Sequence, residues 1–148
     1  MKADRPARVL VIDDDEVARE LLGSELEKAG LEVFSLPSPI GASRLIQAND
    51  VDAVVLDVMM PAMSGDRLAA LIRQNKRFSN VAVVLVSGKG AAELGKLALA
   101  VGADAVVSKS DIRQMLAQSV IKAMRGRSPR SDATRQGDIA VAGDGKRR

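Results

Sequence analysis

The chain has 148 residues, 47% of them hydrophobic, which suffices for one domain with an ordinary core. It contains neither cysteine nor histidine, so disulfides, thiolate metal sites and imidazole chemistry are excluded, and any metal must be a hard cation held by oxygen. The net charge of +3 is uneven: residues 125–148 hold seven Lys/Arg against three Asp and carry +4, while residues 1–124 carry −1.

A body without basic excess, and with Phe34 and Phe78 as its only aromatics, cannot build stacking platforms for single-stranded nucleic acid. This argues against a nucleic-acid partner. No apolar run approaches the roughly 20 residues that cross a bilayer, and "MKADRPAR" lacks the apolar core of a secretory signal. A cytoplasmic protein with no membrane partner is expected.

After an N-terminal extension at residues 1–7, "RVLVI" at 8–12 reads as a strand. Ala18, Leu21, Leu22, Leu26 and Ala29 then recur at helical spacing up to Gly30, a candidate C′ glycine. "LEVFSL" at 31–36 predicts a second strand and 38–49 a second helix; "DAVVLD" at 52–57 predicts a third strand and 64–75 a third helix. "VAVVLV" at 81–86 is followed by a helix over 90–102, whose propensity Gly90 and Gly95 lower. "DAVVS" at 104–108 leads to a last helix over 110–124, with Ser110 or Asp111 as its N-cap. Residues 126–148 mix Gly, Pro and Ser with charges and read as a disordered basic tail behind a domain at 8–125.

Three of the apolar runs are nearly continuous Val, Leu and Ile, the pattern of parallel strands buried on both faces. Strict alternation of strand and helix implies right-handed crossovers and a doubly wound (βα)₅ fold of the α/β class. In a five-stranded parallel sheet of order 2-1-3-4-5, ligands bind outside the C-terminal strand ends. Asp13 and Asp14 follow strand 1, Asp57 ends strand 3, Ser87 follows strand 4 and Lys109 follows strand 5.

The run Asp13, Asp14, Asp15, Glu16 has two readings. Acidic residues at a helix N-terminus cap free amides and gain up to about 1 kcal/mol from the dipole, which accounts for Asp15 and Glu16. Asp13 and Asp14 are one acidic pair more than a cap needs. Gathered with Asp57 they would repel one another unless a cation neutralised them, and Mg²⁺ suits a set of a few carboxylates that leaves positions open to water and phosphate.

These spaced marks, with "DVMMPAMSG" from Asp57 to Gly65, resemble the CheY-like receiver domain of bacterial two-component response regulators, over about residues 8–125. The resemblance implies a flavodoxin-like fold and a Mg²⁺-dependent phosphoryl transfer to Asp57 from a sensor histidine kinase or phosphotransfer protein. It further implies metal binding by Asp14 directly, by Asp13 largely through water, by Asp57, and by the backbone carbonyl of Met59. Ser87 matches the residue that hydrogen-bonds the phosphoryl group, and Lys109 the lysine that pairs with a phosphoryl oxygen. A stand-alone regulator acting through an unknown downstream protein is expected, not an enzyme beyond its own phosphorylation and dephosphorylation. Haloacid-dehalogenase phosphatases need a second Asp two residues after the nucleophile, where this chain has Met59.

Two positions depart from that pattern. Val106 stands where the family usually has Tyr or Phe, and Ser110 where it usually has proline. Valine lacks the ring's inward and outward rotamers, so a pseudo-receiver that binds partners without phosphorylation is the alternative function. A cis bond before a non-proline residue costs about 2.5–4 kcal/mol, so Lys109–Ser110 is expected to be trans.

Overall fold

Each of the five apolar runs becomes a parallel strand: β1 (Arg8–Ile12), β2 (Glu32–Leu36), β3 (Ala53–Asp57), β4 (Ala82–Ser87) and β5 (Ala105–Ser108). A computed structural model describes residues 5–60, 64–88 and 91–127. The helices α1 (Glu16–Lys28), α2 (Ala42–Ala48), α3 (Gly65–Gln74), α4 (Ala91–Val101) and α5 (Ile112–Arg127) return the chain between strands. The sheet order is β2-β1-β3-β4-β5, with Val9 opposite Val33 and Ala53, Ala53 opposite Ala82, and Val84 opposite Ala105. The expected doubly wound α/β fold is the one observed.

Successive strand residues point to opposite faces, so an unbroken apolar run feeds two cores. Leu10, Ile12, Val54, Leu56, Val83 and Leu85 pack with Ile46 of α2 and Leu68 and Ile72 of α3 on one face. Val9, Val11, Val55, Val84 and Val86 pack with Leu22 and Leu26 of α1 and Leu116 and Val120 of α5 on the other. Burying the sheet twice makes it a rigid base, and its C-terminal edge is the place where polar residues can be held still.

Gly30 ends α1 as expected, at φ 89° with its N–H donated to the Glu27 carbonyl at 2.9 Å. The second helix begins at Ala42, not at 38, because Pro39 disfavours helical backbone at Ser38 and Gly41 takes a left-handed φ of 86°. The helix after β4 forms with Gly95 inside it, while Gly90 lies outside the described residues. The last helix differs at both ends. A 3₁₀ turn at Lys109–Asp111, capped by Ser108, precedes it; the helix itself starts at Ile112, directly after Asp111, and runs on to Arg127.

In the N-terminal segment, Arg5 pairs with Asp50 at 3.3 Å and Asp52 at 3.2 Å, and Ala7 is buried against the β1 face. The tail from residue 128 lies outside the described residues. Among the described residues, no helix is long and apolar enough to cross a membrane.

Candidate functional site

The acidic run divides between the end of β1 and the start of α1. Asp15 is the N-cap of α1, its carboxylate accepting the Ala18 N–H at 3.2 Å. Asp13 continues β1 by donating its N–H to Leu36 at 3.3 Å and is fully buried. Its Oδ1 accepts the Asp15 N–H at 2.9 Å, while its Oδ2 has no hydrogen-bond partner. Burial raises the Asp13 carboxyl above its ordinary value; the Asp15 amide opposes this, Asp57 adds to it, Lys109 opposes it and Asp14 adds a little more.

Asp57 is the last residue of β3, 2% exposed and in register with Val86 of β4. Its Oδ1 accepts the Met59 N–H at 3.1 Å, and Val58 donates to the Val86 carbonyl at 3.1 Å, which carries the ladder one step past the strand. Gly65 opens α3 directly behind it, donating to the Val58 carbonyl at 3.0 Å. A Cβ at residue 65 would collide with the Asp57 carbonyl, so only glycine allows this approach. Met59 turns its side chain outward, 61% exposed.

Ser87 ends β4 fully buried, next to Val86 and opposite Ser108 of β5. Lys109 opens the 3₁₀ turn after β5 and reaches across β4, placing Nζ 3.6 Å from Oδ2 of Asp57. Among the described residues there is no cis peptide bond, so Lys109–Ser110 is trans and the lysine still meets Asp57.

Asp13, Asp14 and Asp57 each offer one carboxylate oxygen within 4.8 Å of the others. That donor set is all oxygen and carries three formal negative charges against one lysine. It includes a buried carboxylate oxygen that no protein donor satisfies. A hard divalent cation of the Mg²⁺ kind fits it.

Two residues of this edge escaped sequence reasoning. Arg19, one turn into α1, donates through Nη1 to the Asp13 carbonyl at 2.8 Å and ties the helix to the acidic loop. Ser108 caps the turn that carries Lys109. Both read as ordinary polar positions, and no spacing rule marks either. Val106 is half-buried on β5, opposite Leu85 and packed on the α2/α3 side.

The family model described as response regulator receiver domain matches residues 9–121. Among curated proteins, the transcriptional regulatory protein CseB of Streptomyces avermitilis is 35% identical over 101 residues, covering 68% of this chain and 42% of that protein. The phosphate regulon transcriptional regulatory protein PhoB of Pseudomonas aeruginosa is 29% identical over 101 residues, covering 68% of this chain and 44% of its own length. The chain thus spans less than half of these two relatives. Of solved structures, a response regulator receiver domain protein from Clostridium thermocellum superposes with a TM-score of 0.71 at 28% identity, covering 82% of this chain and 96% of that one. The signal receiver domain of an HD domain-containing protein from Pseudomonas fluorescens gives 0.76 at 23% identity, over 91% and 97%, a likeness of fold.

Proposed function

Because this chain belongs to the response regulator receiver family, we propose that Asp57 accepts a phosphoryl group from a histidine kinase or phosphotransfer protein in a Mg²⁺-dependent reaction, and that the phosphorylated chain signals by altered binding to a partner protein. The observation that carries this reading is the meeting of Asp57 with Asp13, Asp14 and Lys109 at one sheet edge.

The chemistry follows from the side chains. A carboxylate oxygen of Asp57 forms the new phosphorus–oxygen bond while the donor's phosphorus–nitrogen bond breaks, its electron pair returning to the donor nitrogen. The Met59 N–H holds Asp57 Oδ1 and fixes the carboxylate plane. Lys109 offers its ammonium to an oxygen of the incoming group, and Ser87 its hydroxyl. Mg²⁺ held by Asp13, Asp14, Asp57 and the Met59 carbonyl would neutralise the charge that gathers as a phosphoryl group meets three carboxylates. Such transfer is mostly positioning and electrostatics, which suits an edge fixed by a doubly buried sheet.

The test is intact mass after incubation with acetyl phosphate and Mg²⁺. Addition of one phosphoryl group in the wild type, and none in Asp57→Asn or in EDTA, is expected. A wild type that takes up nothing sinks the reading and favours the phosphorylation-independent module, to which Val106 lends support because a packed valine gives no rotamer switch.

The output is proposed to run through a protein in the cytoplasm, from a receiver domain that spans 8–125. CseB and PhoB are transcriptional regulators by name, so a pull-down with Asp57→Ala and Asp57→Glu should include labelled DNA beside cell protein. Phosphorylation-dependent DNA retention without a protein partner would overturn the proposed output.

A further inference from the structure

The corner that carries Lys109 is held in a way that phosphoryl acceptance alone does not explain. Ser108 ends β5 with extended backbone, φ −71° and ψ 143°, and its hydroxyl oxygen accepts the Ser110 N–H at 3.4 Å. The Ser108 and Ser110 hydroxyls lie 3.0 Å apart, so one donates to the other. The two serines bracket Lys109, whose Nζ is 3.6 Å from Asp57 Oδ2. Ser108 is also the register partner of Ser87, so the turn springs from a fixed position on the same edge.

A side-chain cap at the start of a short helical turn satisfies an N–H that no helix carbonyl takes, and sets the direction in which the chain leaves the strand. No ring fixes the backbone at residue 110, which is serine in a trans linkage. A lysine ammonium sits on a flexible four-carbon stem, so it stays at a target only as well as its own backbone is held.

We infer that Ser108 is a positioning residue: with Ser110 it clamps the turn Lys109–Asp111 and thereby holds the Lys109 ammonium at Asp57. The kinetic consequence rests on the reading of Asp57 as phosphoryl acceptor; the geometric one does not.

Two measurements on the full chain separate these. The first is the rate of reductive methylation of the Lys109 amine, followed by peptide mass spectrometry without any phosphodonor, with Lys28 on α1 as internal control. The second is the initial rate of Asp57 phosphorylation by acetyl phosphate at saturating Mg²⁺, alongside the Kd for Mg²⁺. Ser108→Ala should label Lys109 about three- to tenfold faster and take up phosphoryl about three- to tenfold more slowly, the scale of one lost hydrogen bond. Ser108→Thr, which keeps the hydroxyl, should restore both rates to within about twofold, and Mg²⁺ affinity and Lys28 labelling should not move. Wild-type labelling in Ser108→Ala, a Ser108→Thr as loose as the alanine variant, or a matching rise at Lys28 would each overturn the clamp. If the wild type takes no phosphoryl group yet the labelling follows the expected order, the functional reading fails and the clamp stands.

Discussion

Nζ of Lys109 stands 3.6 Å from Oδ2 of Asp57, the lysine side chain 38% exposed and the aspartate 3%. Lys109 directly follows β5 and Asp57 ends β3, so the pair bridges the strand between them. An ion pair whose cation is this exposed is worth about 0–1 kcal/mol of stability, so it adds little to the fold. Lys109→Met should shift the urea unfolding free energy by no more than about 1 kcal/mol. The phosphorylation rate of Asp57 by acetyl phosphate should fall by about ten- to a hundredfold, as when one preorganised charge-stabilising donor is removed. A rate within twofold of wild type would show that Lys109 does not meet the transferred group.

Burial raises the Asp13 carboxyl above its ordinary 3.8, so the folded chain holds that proton more tightly than the unfolded one. Stability therefore falls as pH rises from 3.8 through the raised folded value, and the loss is complete above it. Asp13→Asn keeps an oxygen for the Asp15 N–H and removes the charge. In EDTA at neutral pH this variant should be more stable than wild type, and the two should converge below the unfolded value. Mg²⁺ should raise the urea midpoint of wild type at neutral pH and leave the variant almost unmoved. A less stable Asp13→Asn in EDTA would mean that the carboxylate is not penalised by its burial.

The strands were legible because an unbroken run such as "AVVL" in β3 can be satisfied only by burial on both faces. The edge residues were legible for the same reason: a carboxylate directly after such a run must leave the sheet at its rim. What stayed hidden depends on backbone that turns. Apolar spacing carried the second helix back to 38, whereas Gly41 at positive φ decides where it can start. Apolar spacing carried the last helix back to 110, whereas the chain first enters a 3₁₀ turn immediately after β5, with Ser108 as the cap of that turn and the helix starting at Ile112. Arg19 acts through the Asp13 carbonyl, and contacts to main chain leave no mark on spacing.

Gly65 makes a prediction in which the sign is informative. Alanine favours a helix over glycine by about 1 kcal/mol, so in open space Gly65→Ala would stabilise the start of α3. Here the added Cβ meets the Asp57 carbonyl and lies 3.0 Å from Val58 Cα, and neither can yield without moving the strand end. The variant should be destabilised by about 1–3 kcal/mol in urea unfolding. It should also take up phosphoryl more slowly, since the shift falls on the backbone that holds Asp57. A stabilised variant would show that this close approach is not part of the folded chain.

At the opposite edge of the sheet, Asp104 joins two elements. Its Oδ2 accepts the Val83 N–H at 2.8 Å and its Oδ1 accepts from Arg127 at 2.8 Å, so the start of β4 and the last residue of α5 share one carboxylate. Asp104→Ala leaves the Val83 amide without its acceptor and should cost about 1–3 kcal/mol. Asp104→Asn keeps an acceptor for Val83 but loses the charge facing Arg127, a partly exposed pair worth about 0–1 kcal/mol, so its cost should be the smaller of the two. Hydrogen exchange separates the contributions. The Val83 amide should exchange faster in the alanine variant only, and the amides of the last turn of α5 should exchange faster in both. Equal protection of Val83 in wild type and Asp104→Ala would place the hold on β4 in its strand neighbours instead of in this side chain.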